Sequence, residues 1–193
     1  SGSFADRLIP LEDAVTHSHG PEGEHEHGDA AFTTWLDPQL AIEQARAVAA
    51  AFAKARPESE AQFLQGLASL EADLQALDER QAAITLRVGD EPLVFSHPVY
   101  QYLVRRYGLN GRALHWEPDQ APDLRELDEL RKSHPARWMV WEGAPPAETV
   151  QALEGAGLPS LVYEPCGNTP ETGDYLSVMQ RNVAALEGAF GTN

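Results

Sequence analysis

Cysteine is nearly absent. Cys166 is the only one, so no disulfide can close within the chain, and zinc-finger or iron–sulfur ligation is excluded by count. Basic residues are scarce as well: 14 Lys and Arg stand against 30 Asp and Glu, for a formal net charge of −16. Phosphate backbones and anionic lipid surfaces are held by Lys and Arg clusters, so nucleic acid is not expected as a partner and a membrane surface is disfavoured. No apolar run reaches the ~20 residues of a membrane span, and no signal peptide is recognisable. Ser1-Gly2-Ser3 reads as an added linker, which places the expected native start upstream and makes the lack of a leader uninformative about secretion. Phosphate-loop glycines, a Gly-x-Ser-x-Gly elbow and a His-Glu-x-x-His helix are all missing, and the adjacency of Ser96 and His97 does not make a nucleophile–base pair. The chain is therefore not expected to be an enzyme. With 193 residues, 42% of them hydrophobic, it is long enough for one sizeable packed domain or a domain with an extension.

Histidine, by contrast, is concentrated. Four of the seven, His17, His19, His25 and His27, fall within eleven residues, among Glu22, Glu24, Glu26 and the chain-softening Gly20, Pro21, Gly23 and Gly28. Imidazole is the commonest side-chain metal ligand, and no hydrophobic core needs it at this density. The composition fits a flexible acidic loop able to wrap a divalent cation; a solvated linker or a tag remnant is the plainer alternative.

Three segments follow from the patterning: a His-rich acidic tail or loop over 1–31, a helical linker region over 32–88, and an α/β lobe over 89–193. Asp37 and Pro38 suit the N-cap and first position of a helix over 38–54, with Leu40, Ile42, Ala45, Val48, Ala49 and Phe52 as its apolar stripe. Beyond Pro57 a long helix over 58–86 carries Phe63, Leu67, Leu70, Leu74, Leu77 and Ile84 at helical spacings. From Gly89 the texture alternates. Strands are expected over 92–96, 112–116, 137–141 and 159–163, and helices over 98–107, 122–133, 146–154 and 174–189. Connections of this length favour a four-stranded parallel sheet flanked by helices.

In open parallel sheets, ligands bind at the carboxyl ends of the strands. The four expected strands end in Ser96-His97, His115-Trp116-Glu117, Trp141-Glu142 and Glu164-Pro165-Cys166, so each brings a histidine or glutamate to one edge. Such a donor set suits zinc or manganese. His97 and Glu164 are the leading candidates. Each has a plainer reading, His97 as a helix cap and Glu164 as a solvated loop carboxylate. His115 and Glu117 share a face, with core packing as their alternative; Glu142 reads more simply as a helix-start carboxylate, Cys166 as an incidental thiol and His134 as a solvated helix-end residue.

The order of these features resembles a known family. The His-rich loop precedes Trp35-Leu36-Asp37-Pro38. A long helix then leads to Val94-Phe95-Ser96-His97-Pro98-Val99-Tyr100, with Tyr102 and Arg105-Arg106-Tyr107-Gly108 beyond. Gly173-Asp174-Tyr175-Leu176-Ser177-Val178-Met179 and Asn182 stand near the end. From about Phe4 onward this is similar to the zinc/manganese substrate-binding proteins of ABC importers, in which a rigid helix links two lobes. The resemblance implies half of a two-lobed solute-binding fold, periplasmic or lipid-anchored outside the cytoplasm. It would capture Zn2+ or Mn2+ for an ABC permease, together with an N-terminal lobe expected upstream. It also implies metal ligation by His97 and by Glu164, where the family has aspartate, with His17, His19, His25 and His27 as accessory donors. Thr33 stands where the family has a ligand histidine, and threonine is a poor zinc ligand. The alternative expectation is accordingly a divergent member with a degraded metal site, acting as an accessory or interaction domain.

Overall fold

The computed structural model describes residues 2–10, 17–18, 24–25, 30–117 and 123–191. Inside the His-rich segment, His17–Ser18 (β1) pairs antiparallel with Glu24–His25 (β2), and His17 lies opposite His25. Ahead of it, Gly2–Arg7 forms a 3-10 helix whose Phe4 is fully buried in the main core. A backbone bridge between Pro10 and Ala30 then closes the base of the segment.

The long helices form where the caps allow. Pro38–Ala55 (α1) starts at Asp37, whose side chain accepts from the Gln39 amide at 3.0 Å, and Pro57 stands two residues beyond its end. Glu60–Val88 (α2) runs back along α1 and stops at Gly89, whose φ of +55° a residue with a Cβ rarely adopts. Only part of the α1 stripe is covered. Leu40, Ile42 and Ala49 are buried, but Val48 and Phe52 are about half exposed, the Phe52 ring lying against Phe63 of α2.

Next come Leu93–Phe95 (β3), Gln101–Tyr107 (α3), Gly111–Ala113 (β4), Leu124–Ser133 (α4), Trp138–Trp141 (β5), Ala147–Gly155 (α5), Ser160–Val162 (β6) and Tyr175–Phe190 (α6). The four strands β3 to β6 form one all-parallel sheet in the order β4-β3-β5-β6. Both faces are covered. Leu93, Phe95, Val140 and Leu161 join the core under α2, α3 and α6, while Val94, Met139 and Trp141 join Leu127 of α4 and Leu153 of α5. Burial on both sides explains why these strands read as continuous apolar runs.

Three expectations are corrected. The second strand is shorter than 112–116, although Leu114 and Trp116 still donate to the carbonyls of Phe95 and Ser96. The helix expected from residue 98 starts at Gln101, because Pro98 sits in a tight turn closed by the Val99 amide on the His97 carbonyl at 2.9 Å. His134 is not solvated. It is 6% exposed, and its Nε2 lies 2.8 Å from the Leu93 carbonyl oxygen, because Pro135 turns the chain inward directly after α4.

Candidate metal centre

The carboxyl ends of β4, β3 and β5 lie side by side and carry ligand-type side chains. Backbone pairing holds to the last residue before each functional side chain. The Ser96 amide donates to Val140 at 2.9 Å, and the Trp116 amide to Ser96 at 2.7 Å. The Glu142 amide reaches the Ser96 hydroxyl at 3.3 Å. Ser96, fully buried, thus ties the three strand ends together. His97 is the first residue past this ladder, and only 3% of it is exposed. The residue capping α3 is Tyr100, so the helix-cap reading of His97 does not hold. Glu142 likewise lies ahead of Pro146, which caps α5, and is not a helix-start carboxylate.

His97, Glu117 and Glu142 each direct a ligand-type atom to one place, all within 4.8 Å of one another. His97 Nδ1 is 3.9 Å from Glu117 Oε1. Burial, and then the neighbouring Glu117 charge, push the Glu142 carboxyl up to about 7. One imidazole nitrogen with two carboxylates matches zinc or manganese chemistry. Alternation along the strand end buries Leu114 and Trp116 and leaves His115 exposed, its ring 5.8 Å from that of His97. The Trp116 indole donates to Glu126 at 2.7 Å. The core-packed reading of His115 and Glu117 therefore fails.

Glu164 follows β6 at the same edge but is not a member of this cluster. Its backbone is clamped by Asn182, which accepts from its amide at 2.9 Å and donates to its carbonyl at 2.7 Å. Its carboxylate lies 4.0 Å from the Arg181 guanidinium. Thr33 is buried, and its hydroxyl donates to the Val99 carbonyl at 2.5 Å, two residues past His97. Cys166 adopts a φ of +55°, and burial followed by the Glu164 charge pushes its thiol up. His17 and His25 are cross-strand neighbours by backbone pairing; His19 and His27 lie outside the described residues. Glu117 and Glu142, secondary candidates in the sequence, are the carboxylates that the fold brings to His97. The signal was present, since both follow strands, but a strand-end carboxylate cannot be told from a loop one until the strand order is known.

The motif residues of the resemblance build the walls around this edge. The Trp35 indole donates to the Pro165 carbonyl at 2.7 Å, and the Tyr175 hydroxyl to the Trp35 carbonyl at 2.6 Å. The Tyr100 hydroxyl donates to Tyr163 O at 2.7 Å, and Asp174 caps α6 by accepting from the Ser177 amide at 2.9 Å.

Residues 3–189 match the family described as zinc-uptake complex component A, periplasmic (ZnuA). The chain is 28% identical over 186 residues to the zinc-binding lipoprotein AdcA of Streptococcus pneumoniae serotype 4, covering 91% of this chain and 37% of that protein. It is 29% identical over 97 residues to the high-affinity zinc uptake system protein ZnuA of Brucella abortus, covering 50% of this chain and 29% of that one. Among solved structures, Zn(II)-bound AdcA of Streptococcus pneumoniae superposes with a TM-score of 0.76 at 23% identity, over 99% of this chain and 41% of that one. The metal-dependent lipoprotein YcdH of Bacillus subtilis gives 0.74 at 22% identity, over 85% and 66%. These likenesses establish the fold, and the chain spans under two-fifths of the length of the AdcA protein it matches.

Proposed function

We propose, from the premise that this chain belongs to the ZnuA family of periplasmic zinc-uptake components, that it is part of an extracytoplasmic solute-binding protein. Its cargo is a divalent metal ion, zinc or alternatively manganese, delivered to an ABC permease in the membrane. The observation that carries this reading is His97, a buried imidazole at the end of a central strand with carboxylates on the neighbouring strand ends. His97 supplies the ligand nitrogen. Glu164 is the family-type carboxylate, and His17, His19, His25 and His27 are accessory donors that raise the local ion concentration. The N-terminal lobe implied by the family pattern would close over this edge. The role is capture and release, not catalysis, and its place is outside the cytoplasm, periplasmic or lipid-anchored.

Zinc titration against a chromogenic chelator tests this. The background is the full chain carrying His17→Ser, His19→Ser, His25→Ser and His27→Ser, so that the loop does not mask the lobe. His97→Ala should weaken zinc by roughly tenfold or more. Equal affinity with and without His97 would remove it from the site.

A second reading has its own observation. The Thr33 hydroxyl is already committed to Val99 in a buried position, which favours a member whose metal site has decayed and whose fold serves an accessory role. Under that reading Thr33→His leaves zinc affinity unchanged; a large gain would mark a site that is weakened but still in use.

A further inference from the structure

His97 presents Nδ1 to Glu117, with the Glu142 carboxylate beside them. The 3.9 Å between Nδ1 and Glu117 Oε1 is too long for a hydrogen bond. Two ligands of one zinc ion, each bonded at about 2.0–2.2 Å, stand ~3.5 Å apart in tetrahedral geometry. The observed separation is thus that of two donors slightly spread around a shared centre, and Glu142 completes a triangle no wider than 4.8 Å. Closing from this separation to bonding distance falls to the two glutamate side chains. The backbone beneath them is already fixed, because Ser96 bonds to both flanking strand ends. Glu164 differs in kind: a resident cation, Arg181, lies at its carboxylate.

We propose that His97, Glu117 and Glu142 form a divalent-cation site complete within this lobe, taking zinc through Nδ1 and one oxygen from each glutamate. The inference rests on the reading of the chain as a metal-capture module, but it assigns the ligands differently. Glu117 and Glu142 provide the carboxylates, and neither residue 33 nor Glu164 is needed. Three protein ligands leave a coordination position for water.

The test uses the same loop-substituted full chain, with circular dichroism to confirm that each variant is folded. Glu117→Gln and Glu142→Gln should each weaken zinc by roughly tenfold or more, while Glu164→Gln changes affinity by less than about threefold. Glu142→His, which keeps a donor where glutamine does not, should hold affinity within about threefold of the parent. X-ray absorption on the zinc-loaded parent should show one imidazole with oxygen neighbours. Full affinity in both Glu117→Gln and Glu142→Gln, with loss in Glu164→Gln, would overturn the inference while leaving the capture reading standing. No zinc binding by the parent would overturn both.

Discussion

Thr33 illustrates how one residue can look like a loss in the sequence and like a structural part in the fold. Its hydroxyl is buried and satisfies the carbonyl of Val99, in the turn that carries His97 off its strand. Removing the hydroxyl leaves that carbonyl without its partner in a dry site. Thr33→Val, which conserves shape, should therefore cost roughly 1–3 kcal/mol of stability, measurable as a lowered urea midpoint at unchanged slope. If Thr33→Val were as stable as the parent, the contact would be incidental. The two glutamates of the cluster make a different point about residues. Glu142 follows its strand by one position and Glu164 by two, yet only Glu142 faces His97. The difference is the neighbour in space, Glu117 against Arg181, and no local pattern announces it.

At the scale of elements, the most demanding contact is between two adjacent strands. A Cβ added to Gly111 of β4 would fall 2.2 Å from Cε2 of Phe95 on β3. The Phe95 ring cannot simply retreat, since it stacks on Tyr100 at 4.7 Å, and the Tyr100 hydroxyl is bonded to Tyr163 O. Gly111→Ala should thus destabilise by about 1–3 kcal/mol; an unchanged thermal midpoint would show that the ring has room to move. Capping is testable in the same way. Asp174→Ala removes the acceptor for the Ser177 amide and should lower the melting midpoint of the chain; an unchanged midpoint would show the cap to be dispensable. Elements of this kind were legible in the sequence because caps, prolines and apolar runs are local signals. Asp37-Pro38 and the stop at Gly108 stand where expected, and the strand expected over 92–96 runs over 93–95. What was not legible depended on distant partners. Nothing local marks Phe4 as a core residue, His134 as bound to a strand carbonyl, or Val48 and Phe52 as exposed. The edge carrying the chemistry was readable from the alternation of strands and helices; the choice among its carboxylates required the order β4-β3-β5-β6.

At the scale of the whole molecule, Asp78 joins three helices. Its carboxylate accepts from Gln39 of α1 at 2.8 Å and from Tyr107 of α3 at 2.8 Å, and it pairs with the Arg106 guanidinium. Burial alone would raise this carboxyl, but the hydrogen bonds from Arg106, Gln39 and Tyr107 outweigh it and hold it below its ordinary value. A depressed folded value means that the stabilisation is present above the unfolded aspartate value of about 3.9 and is lost as pH falls through the folded one. The gap in urea midpoint between the parent and Asp78→Asn should accordingly be full near neutrality and close in acid. A gap that stayed constant with pH would show that the charge of Asp78 plays no part.

The parallel sheet has one more consequence. Neighbouring strands stand about 4.7–4.9 Å apart, close to the span between opposite donors around a single ion. Consecutive strand ends in the order β4-β3-β5 therefore set the backbone footing of the three residues, and Glu117 and Glu142, footed on either side of His97, converge on it through their side chains. An ion held there would be reached by glutamate side chains from a footing fixed by hydrogen-bonded rungs. It would also link the ends of three strands that the sequence keeps apart.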